Sequence, residues 1–157
     1  MSRRSRAREV VLQVLYQDDL NPDHDLHETD EFLRSRLRHQ SDSLDFAFNL
    51  LRGTRRNRPE LDELLVARAD NWSLRRMAAT DRNILRLAAF ELLYTETPGR
   101  VVINEAVELA KRFGSKQSAQ FVNGVLDGLL PGKGAPGERA PRPTENPTGD
   151  DAAAEGK

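Results

Sequence analysis

The sequence predicts an all-α fold, and three observations carry that prediction. Apolar residues recur at three- and four-residue steps in segment after segment, the spacing of helices that each bury one stripe. No segment alternates apolar and polar residues in the two-residue rhythm of a half-buried strand. Asp, Ser and Thr precede the stripes and Gly or Pro follows them, which are the start and stop signals of helices. Together these features predict about seven helices in antiparallel-type packing, followed by a disordered tail over residues 131–157.

The first helix is set by Ala7, Val10, Val11, Val14 and Leu15 and runs from about Arg4 to Asp18. Its start holds Arg3, Arg4, Arg6 and Arg8, cations at the positive end of the helix dipole, where each costs a few tenths of a kcal/mol. Glu9 offsets this in part. Such a local conflict points to a working surface; a frayed, solvated terminus is the competing explanation. Tyr16 lies near the helix end, where it can stack a base or sit at the rim of the core. Residues 19–30 read as an acidic loop; its His24 and His27 lack a third ligand at metal-binding spacing. A short helix follows from about Asp30 to His39, with Phe32, Leu33 and Leu37 inward and Arg34 and Arg38 on a solvated side.

Ser41 or Asp42 caps a third helix carrying Leu44, Ala47, Phe48 and Leu51. It frays at Gly53 or continues into Arg55, Arg56 and Arg58, a basic cluster best read as a solvated helix end. Pro59 suits the first turn of a fourth helix that buries Leu61, Leu64 and Leu65. Residues 70–79 turn the chain, with Trp72 and Met77 as plugs between two halves. Thr80 and Asp81 open a fifth helix to about Tyr94, whose wide apolar face (Ile84, Leu85, Leu87, Ala88, Leu92, Leu93) marks it as central.

Residues 101–130 are the densest stretch and read as helix, break, helix. Ile103, Ala106, Val107, Ala110 and Phe113 form one stripe, and Glu108 precedes Arg112 by four residues, the favourable order for an ion pair. Gly114 is placed as a left-handed C-terminal glycine and Ser118 as the next N-cap. Phe121, Val122, Val125, Leu126, Leu129 and Leu130 form the last stripe, and Pro131 ends it. Gly124 and Gly128 share a face of that helix, each about 1 kcal/mol worse than alanine, so the sequence predicts a close neighbour there. A helix of the same domain is the preferred neighbour, ahead of a partner chain or an RNA backbone.

The 157 residues, 38 % of them hydrophobic, suffice for one modest domain or two small subdomains. Without cysteine there is neither a disulfide framework nor a thiolate metal site. No apolar run has the length of a membrane span and no signal peptide follows the N-terminal arginines, so a soluble, cytoplasmic protein is expected. The net charge of −1 excludes a globally basic nucleic-acid binder; any such surface is local or completed by a partner. Catalytic motifs are missing, and the Glu105/Glu108 pair beside Lys111 and Arg112 reads as an ion-paired face. The break at Gly114–Ser118 is more informative: Lys116, Gln117 and Gln120 offer donors for phosphates or base edges beside Phe121, although Phe121 also fits the core by its spacing. The tail contains Pro131, Pro136, Pro141, Pro143 and Pro147, with glycines and mixed charges and little to bury.

Four blocks resemble the NusB family in the family's order. They are Arg3-Arg4-Ser5-Arg6-Ala7-Arg8-Glu9 with Leu12-Gln13-Val14-Leu15-Tyr16-Gln17; Asp81 to Leu87 with Phe90-Glu91-Leu92; Val102 to Lys111; and Phe121 to Asp127. The resemblance implies two small helical bundles over about 1–70 and 71–130, packed across each other. It implies a transcription antitermination factor that binds the box A element of nascent ribosomal RNA with NusE, a small-subunit ribosomal protein, beside RNA polymerase and other Nus factors. NusE would supply the basic surface this chain lacks. Arg3, Arg4, Arg6 and Arg8 map to phosphate contacts, Tyr16, Gln117, Gln120 and Phe121 to positions near RNA, and Asp81 to the NusE side. Ser5 interrupts the arginine run, and Gln117 and Gln120 are uncharged where relatives can carry charge, both of which retune RNA contact. Self-association as a homodimer is also compatible with the family. Neither a cofactor nor a metal is implied, nor is an enzyme. A similar domain opens a ribosomal RNA cytosine methyltransferase family, but that reading needs an α/β domain where this sequence turns to Pro and Gly. The remaining rival is a protein-only adaptor whose arginines merely solubilise one end.

Overall fold

The computed structural model describes residues 2–38, 41–69 and 73–130. Among these residues there are seven α-helices, one 3₁₀ turn and no strand. Helix α1 (Arg3–Leu20) starts where the Ser2 hydroxyl accepts a hydrogen bond from the Ser5 amide at 3.0 Å, satisfying one of the orphan donors of the first turn. Helix α2 (Leu26–Leu37) begins four residues before the expected Asp30, because Asp25 is a cap and not loop filler: its carboxylate accepts from the His27 amide at 2.9 Å. Helix α3 (Ser41–Arg56) runs straight through Gly53. The reason is space: a Cβ there would lie 2.0 Å from Cζ of Phe90, so only glycine lets the helices come this close. Helix α4 (Arg58–Arg68) carries Pro59 in its first turn. A 3₁₀ turn (Leu74–Arg76) then leads to buried Met77, whereas Trp72 lies outside the described residues.

Helix α5 (Ala79–Tyr94) is the hub. It buries ten residues and packs against α1, α3, α4, α6 and α7, as its wide apolar face predicts. Helices α6 (Gly99–Phe113) and α7 (Ser118–Asp127) pack against each other and against α5. One apolar core runs from Val10, Leu33 and Leu51 through Ile84 and Leu85 to Ala110, Val122 and Leu126. No helix among the described residues is long and apolar enough to cross a membrane. The expectation for the tail lies outside the described residues, as does the stop at Pro131.

The α6–α7 break departs from the sequence expectation in two ways. Gly114 is extended, with φ −98° and ψ −166°, and not left-handed. Its glycine is required by crowding, since a Cβ would sit 2.4 Å from the Ser118 hydroxyl and 2.8 Å from the Ala110 carbonyl oxygen. Ser118 is the first helical residue and not the N-cap; its hydroxyl turns back and accepts from the Ser115 amide at 2.8 Å. The glycines of α7 also separate. Gly128 has the Arg68 Cδ at 3.6 Å from a built Cβ, but Gly124 is exposed with nothing within 4 Å, so among the described residues no helix neighbours it.

Candidate nucleic-acid interface

The arginine-rich start of α1 divides into two environments, although Arg4 and Arg8 stand one turn apart and share the Phe46 ring. Arg8 points into the molecule and is 4 % exposed. Its guanidinium donates to both Glu91 oxygens of α5, at 2.8 and 2.6 Å, in the two-pronged geometry that suits this pair. Glu105 of α6 adds a weaker ion pair at 3.6 Å. Arg8 is thus a clamp between helices, which a count of N-terminal cations does not reveal. The signal available was Glu91 itself, a carboxylate inside the apolar run of α5 that demands a buried partner.

Arg3 and Arg4 face outward. Arg4 lies 4.3 Å above the Phe46 ring, and Arg8 stands 5.0 Å from the same ring. With Asn49, Thr97 and Glu96 these residues line a cleft of about 870 Å³ between the start of α1, the middle of α3 and the α5–α6 turn. Phe46 and Asn49 were not singled out from the sequence. Phe46 falls between the spacing positions of the α3 stripe and sits half-buried at the edge of the core.

Along one face of α1, Arg6, Glu9, Gln13 and Tyr16 follow at helical steps, with Glu9 buried beneath its cationic neighbours. Glu9 is bracketed by cations: Arg6 at 3.5 Å and Arg112 of α6 at 3.1 Å. The predicted Glu108–Arg112 pair is therefore replaced; Glu108 meets Lys111 at 3.5 Å instead. The Glu9–Arg112 bridge ties α1 to the end of α6 and so to the Gly114–Ser118 break. Tyr16 and Phe113, 39 % and 40 % exposed, line a second groove of about 650 Å³ with Gln13, Gln17 and Phe32. Phe113 thus leaves the stripe to which its spacing assigned it.

Gln117, the N-cap of α7, and Gln120 within it are exposed, and Phe121 is half-buried against the core. Asp81 is half-buried in the first turn of α5, beside groove-lining Thr80, and its Oδ1 is buried without a hydrogen-bond partner. The sequence candidates therefore fall into four groups: Arg3 and Arg4 in the cleft, with buried Arg8 beneath them; Arg6 and Tyr16 along α1; Gln117, Gln120 and Phe121 past the break that Arg112 joins to α1; and Asp81 alone at the start of α5.

The far end of α1 is fastened by two adjacent carboxylates. Asp18 accepts both prongs of Arg55 at 2.7 and 2.9 Å and meets His24 at 2.6 Å. Arg55 is thus an internal tie and not the solvated helix end the sequence suggested. Asp19 accepts from Arg82 at 2.7 Å and from Asn83 at 2.8 Å, with Arg86 at 3.3 Å. Burial pushes the Asp19 carboxyl up, but the hydrogen bonds from Arg82 and Asn83 and the charges of Arg82 and Arg86 outweigh it and hold it below its ordinary value. Arg82 also donates to the carbonyls of Leu74 and Met77, and Arg86 pairs with Asp62 at 2.7 Å. The Asp81-to-Leu87 block thus owes its charged residues Arg82 and Arg86 to internal tethering.

Comparison with known proteins adds an independent line. The family model described as "NusB family" matches residues 5–131. The transcription antitermination protein NusB of Anaeromyxobacter dehalogenans (strain 2CP-1) is 48 % identical over 131 residues, covering 83 % of this chain and 92 % of that one. Its counterpart from Desulfitobacterium hafniense (strain DCB-2) is 43 % identical over 138 residues, covering 83 % and 88 %. Among solved structures, T. maritima NusB superposes with a TM-score of 0.74 at 34 % identity, over 87 % of this chain and 95 % of that one. A chain from a crystal structure of antitermination factors NusB and NusE in complex with dsRNA gives 0.65 at 29 % identity, over 80 % and 94 %.

Proposed function

The chain belongs to the NusB family, and on that premise we propose that it is a transcription antitermination factor, a binding protein and not a catalyst. It binds box A RNA of nascent ribosomal transcripts together with NusE, in a complex with RNA polymerase and other Nus factors, and works in the cytoplasm. The observation that carries this reading is the pairing of arginines on α1 with two aromatics, half-buried Phe46 on α3 and exposed Tyr16 on α1 itself. Arg3 and Arg4 stand at a cleft with Phe46, and Arg6 precedes Tyr16 along α1. Cations neutralise phosphates and aromatic rings stack unpaired bases, the two contacts that single-stranded RNA offers.

Within this reading Arg3, Arg4 and Arg6 touch phosphate and Tyr16 lies against a base. Gln117 and Gln120 extend the surface beyond the break, with Phe121 supporting them from the core. Arg8 positions α1 from within. Asp81, half-buried in the first turn of α5, lies on the side that faces NusE. A near-neutral chain whose cations are gathered at few places is expected to need a basic partner for full affinity.

The test is fluorescence anisotropy with labelled box A RNA and a scrambled control, with and without NusE, at two salt concentrations. Arg4→Gln/Arg6→Gln is expected to lower affinity and to flatten the salt dependence by about 1.4 log units per log unit of salt, for two single-strand phosphate contacts. Equal binding of both RNAs, or an unchanged salt slope in the variant, refutes the reading. Capture of NusE without any RNA binding would establish the adaptor instead.

A further inference from the structure

The arginine cleft does not stop at Asn49. That residue is shared with a second depression of about 420 Å³, lined by Arg34 of α2 and by Phe48, Arg52 and Arg56 of α3. Asn49, Arg52 and Arg56 follow at three- and four-residue steps on one exposed face of α3. The Phe48 ring is held between Arg34 at 4.9 Å and Arg52 at 4.3 Å, which fixes both guanidinium groups in place while leaving their edges to solvent. Internal acids satisfy little of this charge. Arg52 reaches Asp30 only at 3.9 Å with its side chain 55 % exposed, and Asp45 is the single acid lining the depression.

We propose that this face of α3 is a second phosphate track, which takes the RNA strand onward from the Arg3–Arg4 cleft. The proposal rests on the RNA-binding reading above. Asn49 to Arg56 spans about 10 Å at 1.5 Å per residue, enough for about three stacked nucleotides at roughly 3.4 Å each. Arg34, Arg52 and Arg56 contact the sugar-phosphate backbone and so add affinity without sequence preference. The contact falls on nucleotides outside the box A element itself, at one end of it.

The experiment compares three RNAs by anisotropy: box A alone, and box A extended by about six nucleotides at its 5′ or its 3′ end. The wild-type full chain is expected to gain about tenfold in affinity from one extension only. Arg34→Gln/Arg52→Gln/Arg56→Gln should lose that gain, keep binding to the short RNA within about twofold, and show a salt slope shallower by about 2 on the extended RNA. The corresponding triple lysine variant should keep most of the gain, because a phosphate accepts a point charge. Loss in the lysine variant too would assign the effect to repacking of Phe48 and overturn the proposal. So would equal affinity of wild type and glutamine variant for the extended RNA, or loss of NusE capture with RNA binding intact, which would make the track a docking site for an acidic protein surface. Failure of the wild type to bind even the short RNA is a separate outcome, which removes the RNA-binding reading and this proposal together.

Discussion

Replacing Arg8 with methionine separates its structural role from RNA contact. The variant keeps most of the side-chain volume but leaves the Glu91 carboxylate, 1 % exposed, without its two short hydrogen bonds. Breaking a buried pair by removing one partner costs about 3–5 kcal/mol, because the surviving charge stays desolvated. For a domain of ordinary stability, about 5–15 kcal/mol, that is about a fifth or more of the total. With a urea m-value of about 1–3 kcal/mol/M, the unfolding midpoint should fall by about 1–5 M. Circular dichroism at the helix band against urea measures it directly, since the described fold is helical throughout. Arg8→Met/Glu91→Leu removes both charges and should return to within about 2 kcal/mol of wild type, as buried pairs replaced by apolar residues often do. The reasoning fails if Arg8→Met costs less than about 1 kcal/mol while RNA affinity drops; Arg8 would then be a surface phosphate contact.

Three further outcomes follow from the packing. Gly53→Ala places a methyl group 2.0 Å from Phe90 Cζ and should cost at least about 1–3 kcal/mol in urea unfolding, partly restored by Phe90→Leu; no cost would contradict the close approach of α3 and α5. Gly124→Ala meets nothing and should stabilise by about 1 kcal/mol, and a loss of stability would show that the face is occupied within the chain. Asp19 sits below its ordinary pKa in the fold, so its contribution is complete above the unfolded value near about 4 and is lost as pH falls through the folded value. The wild type should therefore lose stability steeply below about pH 4 and Asp19→Asn should show a shallower acid limb; parallel limbs from pH 7 to pH 3 would remove Asp19 from the account.

The helices were legible because each buries a stripe against one core, and period alone reports that. What period does not report is the direction of a polar residue. Arg4 and Arg8 stand one turn apart near the start of α1, yet one meets solvent and the other meets Glu91, a partner 83 residues away. Arg55 looked like a helix end until Asp18 was brought against it. Gly114 carried the right residue for a helix end, but for crowding by Ser118 and not for a left-handed backbone. Phe113 was hidden for a related reason: its spacing assigns it to the core stripe of α6, and exposure is settled only by which helix lies opposite. The candidate surface was thus visible as a cluster of arginines, while the aromatics that accompany it depended on long-range placement.

Helix α1 is bolted to α5 at two points, Arg8 on Glu91 and Asp19 on Arg82 and Asn83. The two bolts are eleven residues apart, about 16 Å along the axis, and both are short and directional. Such a helix behaves like a rod pinned twice: it neither slides nor turns without releasing both pins. Deleting or adding one residue between them would rotate one pin by about 100° relative to the other. The number of residues from Glu9 to Asp18 is therefore held more tightly than their identity, and it is this fixed count that sets where Arg3 and Arg4 project beyond the body of the protein.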